Sequence, residues 1–331
     1  MHLRLLELLA CPKCLEPLVC AAEQTSNAGE VIKGDLCCLG CARRYPIQGG
    51  IPRFETNDNY ASSFGLQWNL FRNEQIDSRT GKRISRKRFF AETGWTEDWL
   101  PGKWILDAGC GAGRFLDVLS EYPCQVVGVD ISNAVDAAAS TLSGCSNVHL
   151  VQASILELPF RRDAFDACYS IGVIQHTPDP PRALESLPRF LKPGGKVAVT
   201  IYERKSWTRL NAKYLVRPIT RRMNPRILLF LIKAAMPVLF PLTELLFRLP
   251  LVGRLFSFVL PVADYTNFPE LSLGQRYRGV ILDTFDMLSP QFDLPQTREE
   301  AESALARTGV VNIQRLGSVG VNLVGQRDGA G

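Results

Sequence analysis

Two pairs of cysteines set a chemistry by their spacing. Cys11-Pro12-Lys13-Cys14 and Cys38-Leu39-Gly40-Cys41 are C-x2-C knuckles with 23 residues between them. Two such turns offer four thiolates at the corners of a tetrahedron, the geometry zinc prefers. The expected ligands are Cys11, Cys14, Cys38 and Cys41; Cys20 and Cys37 fall outside the spacing and read as bystanders. A second constellation is Asp107-Ala108-Gly109-Cys110-Gly111-Ala112-Gly113. Its alternating glycines let backbone approach a ligand closely, and a helix start behind them aims free N–H groups at it. A dinucleotide loop would put its third glycine at position 114, which is Arg114. Asp130 closes the next apolar run, where a carboxylate can accept two ribose hydroxyls. His176 follows a later run, where a cleft would open, and imidazole titrates near neutrality. It is the candidate general base; the plainer reading is that it shapes its loop.

These residues need elements to hold them. Trp104–Ala108, Gln125–Val129, Val148–Val151, Ala164–Ser170 and Lys196–Tyr202 are apolar runs that read as strands. Helical spacing follows Gly113 through Phe115, Leu116 and Leu119, and Pro180–Leu191 suits a helix that Lys192–Gly195 breaks. Strands alternating with helices imply an α/β, doubly wound, Rossmann-like parallel sheet with its ligand beyond the strand ends. Thr297-x-x-Glu300 is a capping box opening a helix to Leu305, and Val310–Ile313 with Val319–Val324 would close the sheet as a hairpin. Between the knuckles, Ser26-Asn27-Ala28-Gly29 has turn chemistry. The 331 residues, 46% hydrophobic and 21% charged, suffice for two globular units, one small. A net charge of +5 implies neither nucleic acid nor membrane by itself. The first residues lack an export pattern, so a reducing cytoplasm and metal-bound rather than disulfide-bonded cysteines are expected.

The first stretch resembles a known family. Leu8-Leu9-Ala10-Cys11-Pro12-Lys13-Cys14, then Gly34–Cys41, Tyr45-Pro46-Ile47 and Gly50–Phe54, look like the short zinc ribbons of the methyltransferase-activator type, which imply a structural or docking module. Residues 100–202 resemble class I S-adenosylmethionine-dependent methyltransferases, of the type 11 kind. The resemblance implies a seven-stranded methyltransferase sheet and S-adenosyl-L-methionine as cofactor, with structural zinc in the ribbon. It places Asp107 near the methionine amino group, with Ala108, Gly109, Cys110, Gly111 and Gly113 forming the cofactor loop. It gives Ile131 an apolar contact to adenine, sets Ser154 and Ile155 in the loop beneath the base, and brings Ile171 to the cleft. Ser154 stands where the family usually has Asp. In similar enzymes an aromatic segment folds over the cofactor, and Tyr60–Trp68, with Gln67 and Trp68, is the candidate here.

The expected organisation is 1–56 zinc ribbon, 57–99 linker and N-terminal helices, 100–202 with 297–328 methyltransferase domain, and 203–296 helical cap insertion. In the insertion, Lys205, Arg209, Lys213, Arg217 and Arg221 recur every four residues, which one helix would turn into a basic stripe. Ile227 to Val262 is strongly apolar, but Lys233, Pro237, Pro241 and Glu244 interrupt it, so no span of the ~20 residues a bilayer requires is expected. Residues 205–262 read as a lid, or as a surface lying on the inner face of an anionic membrane; an RNA-binding stripe has few aromatic platforms to support it. The acids and aromatics of Asp283–Asp293 either line an acceptor pocket or order a loop, and Lys82–Arg88 reads as a solvated helix face. The leading function is methyl transfer to a small-molecule acceptor, apolar or quinone-like. Competing readings are an RNA (rRNA or tRNA) methyltransferase and a non-catalytic scaffold of the same fold.

Overall fold

The structure, a computed structural model, describes residues 1–56, 59–317 and 320–329. Short helix α1 (Leu3–Leu6) leads into an antiparallel sheet of β1 (Leu18–Thr25), β2 (Val31–Cys38), β3 (Arg44–Gln48) and β4 (Ile51–Pro52), in that spatial order. β1 and β2 form the hairpin expected between the knuckles, turning at Ser26–Glu30. The ribbon does not stand apart. Ala10 N–H donates to Pro159 O (2.9 Å), Arg161 N–H to Leu8 O (2.8 Å) and Phe54 N–H to Gln152 O (2.8 Å). Leu5, Leu9, Leu36 and Ile47 share one continuous core with Phe160, Phe165 and Leu184 of the larger domain.

Helices α2 (Ser62–Leu70), α3 (Asp77–Thr80) and α4 (Ile84–Thr93) connect to the second sheet. Its parallel strands are β5 (Trp104–Ala108), β6 (Gln125–Asp130), β7 (Val148–Gln152), β8 (Phe165–Ile171) and β9 (Leu191–Ile201), linked through α5 (Arg114–Ser120), α6 (Ala134–Thr141) and α7 (Pro180–Ser186). Central strands buried on both faces read as unbroken apolar runs, which is why β5, β6, β8 and β9 were visible in the sequence; β7, at the sheet edge, is half-buried at Val148 and Leu150 and was read from its short apolar run. α7 is shorter than expected because Pro188, with no N–H to donate, turns the chain into a 3-10 stretch. β9 begins earlier than expected: Phe165 pairs with Leu191 and Ala167 with Lys196, so Lys192–Gly195 bulge out of the ladder rather than precede it.

The insertion comprises α8 (Ala212–Thr220), α9 (Pro225–Leu246), α10 (Gly253–Val259) and α11 (Leu273–Leu288). α12 (Arg298–Ala306) follows, with the Thr297/Glu300 capping box formed in both directions. β10 (Val310–Arg315) and β11 (Val321–Arg327) complete the sheet in the order β10-β11-β9-β8-β5-β6-β7, β11 running antiparallel to β9. The hairpin is longer than expected; Val319, given as the start of its second strand, lies outside the described residues.

Three expectations about the insertion need correction. The basic stripe does not exist as one helix face: Lys205 and Arg209 precede α8, while Lys213 and Arg217 turn inward to Asp293, at 2.9 and 3.9 Å. Arg217 is 5% exposed and also donates to the carbonyls of Met287 (2.8 Å) and Pro290 (2.9 Å). Pro237 and Pro241 do not interrupt the apolar stretch. Both sit on the exposed side of α9, where the carbonyls of Lys233 and Pro237 lose their helical donors toward solvent. α9 is therefore 22 residues long and, among the described residues, the one helix apolar enough by length and composition to cross a membrane. Finally, Asp283–Leu288 is the end of a helix, not a loop.

Candidate active site

β5 lies between β8 and β6, so the strand order reverses there and a crevice opens beyond the strand ends. It holds a cavity of about 410 Å³. One wall is built from Gly109, Cys110, Gly111, Asp130, Ile131 and Ile155, with Ile171 and His176 beside them. Gly109 (φ +101°) and Gly111 (φ +53°) take backbone conformations that side chains disfavour. A Cβ at Gly109 would meet Val173 at 2.4 Å, and one at Gly111 would meet the Trp68 indole at 3.1 Å. The opposite wall is α2 and its approach, through Tyr60, Ala61, Phe64 and Trp68. Gln67 is not on it: its amide is buried and donates to Asp286 Oδ1 (3.0 Å).

Asp130 accepts from Gly111 N–H (3.0 Å), Ser132 N–H (2.9 Å) and Ser132 Oγ (2.7 Å). Burial nevertheless holds its carboxyl above the usual range, against those hydrogen bonds. Asp107 lies behind the lining, in register with Tyr169 on β8. Burial pushes its carboxyl up to about 8; the Tyr169 hydroxyl opposes the rise and the Asp130 charge adds to it. Its Oδ2 is buried without a hydrogen-bond partner. A carboxylate orphaned in this way beside a nucleoside-sized cleft fits a ligand carrying a cationic group at that end. Of the remaining residues proposed from the sequence, Ala108, Gly113 and Ser154 do not line the cavity. Ser154 caps the turn below it instead, accepting from Leu156 N–H (3.2 Å).

His176 is 6% exposed and lies between the rings of Phe64 (5.1 Å) and Tyr202 (5.6 Å). Its Nδ1 is 3.0 Å from the carbonyl of Phe292. A carbonyl can only accept, so Nδ1 carries the hydrogen and Nε2 keeps a lone pair when the ring is neutral.

The far end of the cavity is polar; two of the acids offered for an acceptor pocket, Asp283 and Asp286, line it, and the sequence did not disclose the rest. Asp283 and Asp286 reach it from α11, Arg88 from α4, and Arg114, Gln75 and Tyr202 complete it. Tyr265 Oη donates to Asp283 Oδ2 (2.8 Å) and Gln75 Nε2 to Asp283 Oδ1 (3.2 Å), while Arg114 Nη1 donates to Gln75 Oε1 (2.9 Å). Burial, reinforced by Asp286, pushes Asp283 up to about 6; burial and the Arg88 charge push Arg114 down to about 10. Arg88 is only half-buried, but it also bonds Glu92 (2.6 Å) and sits over the Phe115 ring at the cavity wall. Its i+4 carboxylate was the available signal. For Arg114, whose partners lie far off in sequence, there was none.

In the ribbon, the sulfurs of Cys11, Cys14, Cys38 and Cys41 all lie within 4.8 Å of one another, with Cys11–Cys41 at 3.6 Å and Cys14–Cys38 at 3.3 Å. Tetrahedral zinc with ~2.3 Å bonds would space its sulfurs about 3.8 Å apart, so the cluster fits that ion. Cys20 and Cys37 stand outside it.

The methyltransferase-domain family described as "Methyltransferase domain" matches residues 106–199, and the family described as "Trm112p-like protein" matches residues 2–50. The chain carries a Trm112p-like domain followed by a methyltransferase domain. It is 34% identical over 140 residues to the tRNA (carboxymethyluridine(34)-5-O)-methyltransferase of Arabidopsis thaliana, covering 38% of this chain and 33% of that protein. It is also 34% identical over 163 residues to phosphoethanolamine N-methyltransferase 3 of the same plant, covering 48% and 32%. The chain thus spans about a third of the length of these relatives. A solved SAM-dependent methyltransferase from Aquifex aeolicus aligns over 81% of this chain and 97% of its own, at 14% identity and a TM-score of 0.42. In the methyltransferase domain the family match ends at 199, two residues short of the end of β9, and the insertion lies wholly beyond it.

Proposed function

We propose that the chain transfers a methyl group from S-adenosylmethionine to a small-molecule acceptor, with a zinc ion holding its ribbon. The observation that carries this reading is one roofed cavity whose two ends differ: glycine loop, Asp130 and Ile131 at one, His176, Tyr202, Asp283 and Asp286 at the other. Bound S-adenosylmethionine supplies a sulfonium methyl already activated for in-line displacement. Asp130 accepts the ribose hydroxyls, Ile131 and Ile155 pack on the base, and the Asp107 charge faces the methionine end. Phe64, Trp68 and the insertion exclude water, so orientation within the closed cleft contributes much of the rate. His176 Nε2 receives the proton that an acceptor O–H or N–H releases. An apolar, quinone-like body fits against Phe64, Val173 and Met287, and Asp283 or Asp286 accepts from its hydroxyl or amine.

The test is calorimetric titration of S-adenosylmethionine into the purified chain. Wild type should bind; Asp130→Ala should lose at least tenfold in affinity. No binding by wild type would defeat the proposal. A tRNA acceptor is the second reading, because two relatives are named as a tRNA methyltransferase and a probable tRNA methyltransferase. Salt-sensitive binding of tRNA, weakening steeply as salt rises, would favour it.

A further inference from the structure

The outer side of the insertion has no partner within the chain. α9 has two apolar faces. The inner one, with Leu228, Leu229, Ile232 and Met236, packs on Val280, Ile281 and Phe285 of α11. The outer one repeats at helical spacing along the whole element: Ile227, Phe230, Leu231, Val238, Leu242 and Leu245 are between 43% and 71% exposed. Leu251, fully exposed, and Leu255 extend it toward α10, while Leu215 and Ile219 extend it toward α8. An apolar surface of this extent is unusual on a protein that meets water alone.

Its electrostatics have one sign. Residues 204–263 hold eleven Lys and Arg and a single acid, Glu244. That acid is half-buried and paired with Arg248 (3.0 Å) and Arg276 (2.8 Å). Arg221, Arg222 and Arg226, at the junction of α8 and α9, are exposed, and none forms an ion pair among the described residues. Since the chain's net charge is +5, the rest of the molecule is acidic overall and the cations are concentrated here.

We infer that this face lies on an anionic phospholipid surface, with α9 in the interfacial plane. The apolar stripe enters the headgroup–acyl boundary and the arginines at the end of α9 meet lipid phosphates. Three other occupants fit less well. A second copy would bring two like-charged faces together. RNA would leave the aliphatic stripe unused, since single-stranded nucleic acid binds on aromatic platforms. A bilayer-spanning α9 would strip Leu228, Ile232 and Met236 from α11. The inner face of α9 shares its core with Leu66, Trp68 and Phe71, so the surface-binding element also supports the roof of the cleft. The inference does not depend on the reaction performed there.

The experiment is flotation of the full chain with vesicles of phosphatidylcholine alone and of phosphatidylcholine mixed with phosphatidylglycerol. Wild type should float with the mixed vesicles and not with the neutral ones. The triple variant Arg221→Glu, Arg222→Glu, Arg226→Glu should bind the mixed vesicles at least tenfold more weakly. So should Phe230→Gln, Leu242→Gln, Leu245→Gln, which changes exposed positions and keeps the charge; unchanged melting temperatures would show that both variants fold. Failure to float with anionic vesicles would overturn the inference, as would equal recovery with neutral ones. Recovery resistant to alkaline carbonate would overturn it in favour of a spanning helix. A dimer abolished by the glutamine variant, or vesicle binding displaced by tRNA at low salt, would reassign the face to a second copy or to RNA.

Discussion

A buried carboxyl oxygen without a hydrogen-bond partner is a cost to the fold, and Asp107 carries one. Its folded value of about 8 lies above the ordinary carboxylate value, so between the two the folded state binds more protons than the unfolded one. This group's contribution to stability is therefore most favourable at low pH and declines as pH rises toward about 8. Melting curves across that window should slope downward for wild type and more weakly for Asp107→Asn. A ligand that brings positive charge to the carboxyl favours its ionised form, so S-adenosylmethionine should release a proton on binding and bind more tightly as pH rises toward about 8. Titration in two buffers of different ionisation heat checks this; identical heats would refute it. At His176 the tautomer fixed by Phe292 O gives a separate expectation. His176→Ala should lower kcat by ~10²–10⁴ while leaving cofactor affinity within about twofold. An unchanged kcat would assign the ring to shaping its turn. The glycine loop, Asp130 and His176 were legible in the sequence because each follows directly from its own strand. Arg114 and Gln75 were not, because what makes them a wall is a set of contacts from α4, α5 and α11.

The same division holds for the elements. The parallel strands could be read locally, as apolar runs, four of them buried on both faces and β7 at the sheet edge. The insertion could not, because its helices are sorted by what they pack against. A period of four suggested that Arg217 was one tooth of a solvated comb, yet its charge is met by Asp293 and two carbonyls near the end of α11. That contact ties α8 to the roof of the cleft. Removing Arg217 leaves Asp293 its nearer partner Lys213 (2.9 Å) but strips the donors from the carbonyls of Met287 and Pro290, and a buried acceptor left unpaired costs about 1–3 kcal/mol. Arg217→Met should lower stability by that order in urea denaturation, whereas Arg221→Met, on the exposed side of the same helix end, should change it by less than ~0.5 kcal/mol. Equal effects would mean that the inward hydrogen bonds of Arg217 contribute nothing. The misreading of Pro237 and Pro241 has a similar cause: proline removes a helical hydrogen bond anywhere, but on an exposed face water can take over the freed carbonyl.

At the scale of the whole molecule, the question is whether the ribbon is a separate bead or part of one cooperative body. Its composition and knuckle spacing suggested a separate small unit, and a unit that size owes most of its stability to metal. The structure adds contacts that spacing could not reveal. Backbone hydrogen bonds from Ala10, Arg161 and Phe54 bind it to the β7 side of the large sheet, where Arg53 also pairs with Asp136 (2.6 Å). Phe160, fully buried, has ribbon residues on one side and Phe165 on the other. Loss of zinc would release four thiolates from one another, loosen both knuckles and uncover that shared core. The expectation is therefore a single thermal transition that moves, rather than an early ribbon transition followed by an unshifted main one. For 331 residues unfolding as one body each kcal/mol of coupling corresponds to roughly 1.5 °C, so losing a few kcal/mol should lower the midpoint by about 3–6 °C. Chelation of zinc and the Cys14→Ser variant should produce the same shift, because both open the same cluster. Calorimetric scans showing two separate transitions, with the larger unmoved by chelator, would establish instead that the methyltransferase domain holds its sheet edge without help from the ribbon.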